Sequence, residues 1–240
     1  MEFVVLSHPR SGSSYFCNGI LSSHNKIKCF DELFNNNVNT KKVLKDLSVS
    51  PYLKLDKINL NDFLNEVKVS FLNSTNLNKN TFGFKLFCNQ LMPEKINQLC
   101  NDKKIIILER KNMGQSAISY EIATKTGQWD IRMKKEFVPF EASINSVLNF
   151  CRYHKYELKV YKEYMDQHEL EYLHLYYEDL FSDSTLSRVS EYLELEGFAK
   201  NYSFQSTKLN SLERYNKITN ISKIREILLE YDMGDLFSNV

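Results

Sequence analysis

A three-layer α/β fold, with a central parallel sheet flanked by helices, is predicted by three features of this sequence. Short uninterrupted apolar runs, FVVLS at 3–7 and the IIIL of KKIIILER at 103–110, have the length of strands buried on both faces. Stretches with apolar residues at helical spacing follow these runs, and strand and helix signals alternate along the chain, the order that builds a parallel sheet covered on both sides. Gly 7 and Pro 4 are too few for an all-β chain punctuated by turns.

The elements follow in order. The run 3–7 breaks at Pro9, passes through Arg10-Ser11-Gly12-Ser13-Ser14 and resumes as SSYFCNGILSS (13–23), where Tyr15, Phe16, Gly19 and Ile20 fall at helical spacing. Residues 35–80 are rich in Asn and Lys; NNNVNTKK and NSTNLNKNT read as surface connections, with short helices expected at 41–48 and 59–67. TFGFKLFCNQL (81–91) has strand character and gives way near Pro93 to a helix ending about residue 100. After the strand 103–110, NMGQSAISYEIATKTGQW reads as a helix ending near Gly127. Residues 141–168 lack Pro and Gly and form a long helix; EYLHLYYEDL (171–180) is a strand turning into a loop. TLSRVSEYLEL (185–195) and KIREILLEYDMGDLF complete the set as amphipathic helices. A sheet of four or five strands is the expected result.

The 240 residues suffice for one substantial core, so a single domain over 1–240 is expected. Apolar residues at 42% and charged residues at 25% describe an ordinary soluble globular chain. Lys+Arg 31 against Asp+Glu 30 leaves +1, which removes any global electrostatic case for nucleic acid. Five cysteines without a CxxC signal neither a zinc knuckle nor a disulfide scaffold, and the odd count fits a reducing, cytoplasmic setting. MEFVVLS is too short before His8 and Pro9 for a signal peptide, and no run of about 18 apolar residues signals a transmembrane segment.

The chemistry is concentrated at two strand ends. A strand that delivers a Gly/Ser turn into a helix N-terminus offers unpaired N–H groups and a positive dipole end to an anion, with Arg10 beside it. The strand 103–110 ends at Arg110 and Lys111, and binding groups in a parallel sheet collect at such carboxyl ends. Two basic clusters can therefore grip a phosphate-rich ligand from both ends. The chain has no GxxxxGK[ST] and no GxGxxG, which disfavours a Walker-type triphosphatase and a dinucleotide oxidoreductase.

These residues carry a family resemblance. HPRSGSSYF resembles the 5′-phosphosulfate loop of sulfotransferases that use 3′-phosphoadenylyl sulfate, and IIILERKNMGQSAISYEIATKTGQW resembles their 3′-phosphate segment. The QSAIS…TGQW form, FDELF and FGFKLFCNQL are similar to the bacterial trehalose and glycan 2-sulfotransferase branch, and YYEDLFSD matches a later family segment, so the resemblance spans roughly residues 3–195. It implies a P-loop-like fold and sulfuryl transfer from 3′-phosphoadenylyl sulfate to a hydroxyl of a carbohydrate or glycolipid, releasing adenosine 3′,5′-bisphosphate with no metal required.

Carried over residue by residue, the resemblance assigns Arg10, Ser11, Gly12, Ser13 and Ser14 to the 5′-phosphosulfate. Ser119 matches the serine of the 3′-phosphate motif; its basic partner eight positions earlier is Lys111, with Arg110 the better bidentate phosphate ligand, so both are named. Glu32 matches the branch's catalytic carboxylate, with Asp31 the alternative base one residue away. Arg10 and Lys85 would add positive charge around the transferring group.

Simpler roles stand beside these. Ser119 also admits the role of a back-bonding helix serine, Lys85 within FGFKLF that of half a structural salt bridge, and Trp129 that of a core residue rather than an acceptor platform. The five histidines show no metal-ligand spacing, with His8 alone close enough to the loop for a role near the acceptor. Lys208 and Arg214 are candidates for additional phosphate contacts. A homodimer stays open. A phosphotransferase and a non-catalytic nucleotide-binding protein are the other functional classes the pattern admits.

Overall fold

The computed structural model describes residues 1–31, 60–74, 79–100, 102–129, 138–198 and 212–238. The helix expected at 41–48, Glu32 and Lys208 lie outside the described residues. Five strands, β1 (Glu2–Ser7), β2 (Ile27–Phe30), β3 (Thr81–Phe87), β4 (Lys104–Glu109) and β5 (Tyr172–Tyr176), form one sheet of order β2-β3-β1-β4-β5. All four pairings are parallel. Helices α1 (residues 13–23), α2 (Leu60–Ser74), α3 (Pro93–Cys100), α4 (Met113–Thr126), α5 (Ile144–Gln167), α6 (Asp183–Tyr192), α7 (Leu212–Tyr215) and α8 (Ile221–Glu230) accompany the sheet, with short 3-10 turns at Cys88–Gln90 and Tyr177–Asp179.

Side chains alternate along the strands, so the sheet feeds two cores. Val4, Leu6, Phe84, Leu86, Ile105 and Ile107 pack with α2, α3 and α5 on one face. Phe3, Val5, Ile106, Leu108 and Leu175 pack with α1 and α6 on the other. This is why FVVL at 3–6 and IIIL at 105–108 are apolar at every position: both faces of β1 and β4 are covered. Gly83 serves the crossing, because a Cβ there would stand 2.1 Å from the Phe3 ring. A third apolar cluster joins α4 and α5 to Tyr215, Ile218, α8 and the C-terminal residues Met233 and Leu236.

The strand 27–30 is absent from the sequence reading. IKCF is four residues long and pairs with β3 alone, and Lys28 marks it as a sheet edge rather than a continuous apolar run. The helix after the loop is present, but it is π-helical over Tyr15–Ile20 and tightens to 3-10 geometry over Leu21–Ser23. The helix expected at 59–67 runs on to Ser74. Helix α4 starts where the Asn112 side chain accepts from the Gln115 N–H at 3.0 Å and stops at Gly127, left-handed at φ 67.

The connection from β1 leads to β2 on one side of the sheet, and that from β4 leads to β5 on the other. Neighbouring strands whose connections diverge leave a crevice outside their carboxyl ends. Residues 8–14 follow β1 and residues 110–112 follow β4, so both basic segments border that crevice.

Candidate functional site

The turn after β1 is built around two residues in left-handed conformation, Arg10 at φ 63 and Gly12 at φ 87. Arg10 is held there by its carbonyl, which accepts from Ser116 Oγ at 3.2 Å and from an Arg110 guanidinium nitrogen at 3.4 Å. Gly12 lies against Tyr177, whose ring carbon would be 2.1 Å from any Cβ at that position. Phe16 N–H donates to the Gly12 carbonyl at 3.0 Å, so the N–H groups of residues 12–15 precede the first turn's bonds and point out of the helix start. Ser11 Oγ is buried without a hydrogen-bond partner among the described residues.

The end of β4 treats its two cations differently. Arg110 turns inward: one terminal nitrogen meets the Arg10 carbonyl, the other donates to Gln115 Oε1 at 2.6 Å, and the guanidinium sits 4.9 Å from the Tyr177 ring centroid. Its Nε is buried and has no hydrogen-bond partner among the described residues, with the Glu178 carboxylate 3.9 Å away. Lys111 turns outward to Asp179, 2.9 Å distant, with half its side chain exposed. That pairing holds the Lys111 ammonium above its ordinary range. Glu178 accepts from the N–H groups of Lys111 at 3.0 Å and Asn112 at 3.2 Å, capping the start of α4.

The Arg10 side chain reaches α4. Its Nε donates to Ser119 Oγ at 2.9 Å and a terminal nitrogen donates to the Trp129 carbonyl at 2.9 Å. A hydroxyl that accepts from a guanidinium keeps its own hydrogen to give to an anion.

On the other flank stands Lys85, in register with Val5 and only 1% exposed. It donates to Ser14 Oγ at 2.9 Å and forms an ion pair with Asp31. Asn18 donates to the second Asp31 oxygen at 3.0 Å and Ser14 to the first at 3.4 Å. A buried ammonium without a partner would be strongly destabilising, and Asp31 supplies that partner from the end of the neighbouring strand.

His8 lies beneath the loop, fully buried, and stacks on His154 with ring centroids 5.7 Å apart. Its Nδ1 lies 2.8 Å from the Pro9 carbonyl and so carries the proton, leaving Nε2 as a buried lone pair without a partner among the described residues. Burial pushes its pKa down to about 3, so the ring is neutral. Beyond it Phe150, Tyr120 and Trp129 form an aromatic row, Tyr120 lying 5.0 Å from Phe150 and 5.6 Å from Trp129. Trp129 is 48% exposed, an aromatic face beside Arg10 rather than a core residue.

Comparison with solved structures places this architecture. The sulfotransferase domain from the curacin biosynthetic pathway superposes with a TM-score of 0.50 at 16% identity, covering 81% of this chain and 74% of that one. A sulfotransferase from Mycobacterium avium gives a TM-score of 0.51 at 11% identity, covering 96% and 75%. The chain shares the sulfotransferase fold. No protein-family model and no curated protein matches the sequence. The likeness is therefore one of architecture: a parallel sheet flanked by helices, as expected from the alternating strand and helix signals, in the P-loop-like form that the resemblance implied.

Within this sulfotransferase-like fold, the structure brings Arg10, Ser11, Gly12, Ser13, Ser14, Lys85, Arg110 and Ser119 around one crevice. It does not bring Lys111 there; the side chain paired with Asp179 is outside the cluster. Arg214 donates to Gln128 Oε1 at 2.7 Å, behind Trp129. Glu178, Gln115, Ser116 and Tyr177 were not singled out for site roles by the sequence reading, yet they set the positions of Arg10, Gly12 and Arg110. The one available signal was the YYEDL segment, noted without a partner.

Proposed function

We propose that this protein is a sulfotransferase that moves a sulfuryl group from 3′-phosphoadenylyl sulfate to a hydroxyl of a carbohydrate or glycolipid acceptor. The observation that carries the reading is the junction of the two anion-holding segments: the Arg10 loop after β1 is locked to Arg110, Ser116 and Ser119 after β4, at the crevice between diverging connections. The residues fit the donor. Gly12 makes the left-handed turn of the loop and lets the Tyr177 ring pack where a Cβ would stand, and Ser11 Oγ and Arg110 Nε are buried polar atoms without a hydrogen-bond partner among the described residues.

The bound donor would supply the activated sulfuryl group and a phosphate leaving group. The N–H groups of residues 12–15 and the Ser13 and Ser14 hydroxyls would hold the 5′ end. Arg110 and Ser119 would hold the 3′-phosphate, the guanidinium through donors in a fixed fork. Arg10 and Lys85 would face the charge that develops on the transferring group, fixed before the reaction and therefore without reorganisation cost. Asp31 is paired with Lys85 and accepts from Ser14 and Asn18, which supports a role in positioning Lys85 and favours Glu32 over Asp31 as the base. The acceptor class rests on the branch resemblance, with Tyr120 and Trp129 offering the aromatic faces on which a sugar ring stacks. The five cysteines are all free and buried, which fits a reducing, cytoplasmic setting.

The test is titration calorimetry with adenosine 3′,5′-bisphosphate, adenosine 5′-monophosphate and ATP, followed by an acceptor screen with labelled donor. Affinity that depends on the 3′-phosphate, and label transfer to a sugar hydroxyl, is the expected result. Turnover of ATP would move the reading to a phosphotransferase. Binding without transfer to any acceptor would leave a non-catalytic nucleotide-binding protein.

A further inference from the structure

The C-terminal segment after α8 clamps the first turn of α4, directly behind Arg110. Gly114 N–H donates to the Met233 carbonyl at 2.8 Å, and Asn112 Nδ2 donates to the Asp235 carbonyl at 2.5 Å and to Ser238 Oγ at 3.0 Å. Gln115 Nε2 donates to the carbonyls of Leu236 at 3.0 Å and Ser238 at 2.8 Å. Both amide hydrogens of Gln115 are thereby spent on the segment, which settles the orientation of its amide. Its oxygen can only face the other way, and it accepts from Arg110 at 2.6 Å.

The segment is itself fixed. Asp235 receives a two-pronged ion pair from Arg225 on α8, at 2.7 and 2.8 Å, and accepts from the Phe237 N–H at 3.1 Å. Leu236 is fully buried in the cluster that joins α4 to α8. Gly234 stands at φ 96, and a Cβ there would meet Asn112 Oδ1 at 2.8 Å, so the backbone passes as close to α4 as glycine allows. Among the described residues Arg110 is held by the Arg10 carbonyl, the Tyr177 ring and Gln115, with the Glu178 carboxylate at the longer distance of 3.9 Å from its Nε. Of these, Gln115 makes the shortest hydrogen bond to it.

We propose that Gln115 is a positioning residue that transmits the grip of the C-terminal segment to Arg110 and so sets how well the protein discriminates a ligand bearing a 3′-phosphate. The inference rests on the reading above that Arg110 receives that phosphate. A guanidinium left to rotate about its last torsions would keep its charge but lose the alignment of its fork, and aligned donors are what distinguish a bidentate phosphate contact from a point charge.

The experiment is a calorimetric comparison of adenosine 3′,5′-bisphosphate with adenosine 5′-monophosphate for the full chain, the ratio of the two affinities measuring the contribution of the 3′-phosphate. Gln115→Met, which keeps the side-chain volume, is expected to lower that ratio about tenfold while leaving affinity for the monophosphate unchanged. Arg225→Met, made at a partly exposed pair remote from the ligand, is expected to lower it about two- to threefold, the effect of loosening the segment by a fraction of one hydrogen bond. In an Arg110→Met background, Gln115→Met is expected to add nothing. An unchanged ratio in Gln115→Met, an equal loss for both ligands, or an undiminished effect in the Arg110→Met background overturns the proposal. A wild-type protein that binds both ligands equally overturns the 3′-phosphate reading itself, a distinct outcome seen before any variant is made. Should Gln115→Met not fold, the selective loss in Arg225→Met decides the matter alone.

Discussion

Arg10 and Ser119, separated by more than a hundred residues in the chain, share a 2.9 Å hydrogen bond from the guanidinium Nε to the hydroxyl oxygen. The contact ties the loop after β1 to the second turn of α4, so the two segments that would hold opposite ends of a bisphosphate ligand are one mechanical unit. Ser119→Ala removes a charge-assisted hydrogen bond inside a buried site, where such bonds contribute about 1.5–3 kcal/mol. The expected loss is about ten- to a hundredfold in affinity for adenosine 3′,5′-bisphosphate by calorimetry. An affinity within twofold of wild type would remove Ser119 from the site.

Arg110 and Lys111 are adjacent in sequence but differ in environment, and their substitution is expected to separate them. Arg110→Met removes a guanidinium that holds the Arg10 carbonyl and stacks on Tyr177, so both the loop and the proposed 3′-phosphate contact should suffer. Lys111→Met loses an exposed pair with Asp179, the kind that contributes about 0–1 kcal/mol. Selective loss of bisphosphate binding in Arg110→Met, with Lys111→Met close to wild type, is the expected pattern. The reverse pattern would return the phosphate to Lys111.

Gly12→Ala should fail for two separable reasons. The backbone is left-handed at φ 87, and the new Cβ would fall 2.1 Å from a Tyr177 ring carbon. Strain of the first kind costs about 1–3 kcal/mol and persists whatever the neighbour. The overlap is relieved by truncating the neighbour. Gly12→Ala is therefore expected to lower the melting temperature by several degrees, and the double variant with Tyr177→Ala to be more stable than the sum of the two single changes predicts. Strict additivity in a thermal melt would show that Tyr177 and Gly12 do not press on each other.

The strands and the crevice were legible because their signals are local. FVVLS and IIIL declare burial on both faces by content alone, and Gly127 ends α4 where a left-handed residue is needed. The edge strand at Ile27–Phe30 was not legible, since four residues covered on one flank need no continuous apolar run. At the site, spacing pointed to the basic pair after β4 without choosing between its members. Gln115 and Tyr177 on one side and Asp179 on the other turn the two side chains apart, and side-chain direction at a strand end depends on such tertiary partners. Lys85 shows the same limit: FGFKLF demanded a partner for the buried charge, but only the pairing of β2 with β3 reveals that Asp31 supplies it.

His8 makes the stability of the protein depend on pH in a window that can be isolated. As pH falls, a histidine in the unfolded chain takes its proton near 6.5, whereas buried His8, beside His154 and Arg110, stays neutral until about 3. The unfolded state thus binds the proton first, and stability present above pH 6.5 is lost as pH falls toward 3. At pH 5 the loss from this one group is about 2 kcal/mol. Glu109 acts in the same direction but lower: burial would raise its pKa, yet hydrogen bonds from His174 and Lys162 hold it at about 2, so its contribution fades only below its ordinary value of 4.5. Urea unfolding at pH 7 and pH 5 therefore separates the two. His8→Phe keeps the ring packed against His154 and Phe150 and removes the titrating nitrogen, losing the Pro9 hydrogen bond equally at both pH values. The variant is expected to lose about 2 kcal/mol less than wild type between pH 7 and pH 5. Equal losses would mean that His8 is protonated in the folded protein, and that its Nε2 has a partner in solution.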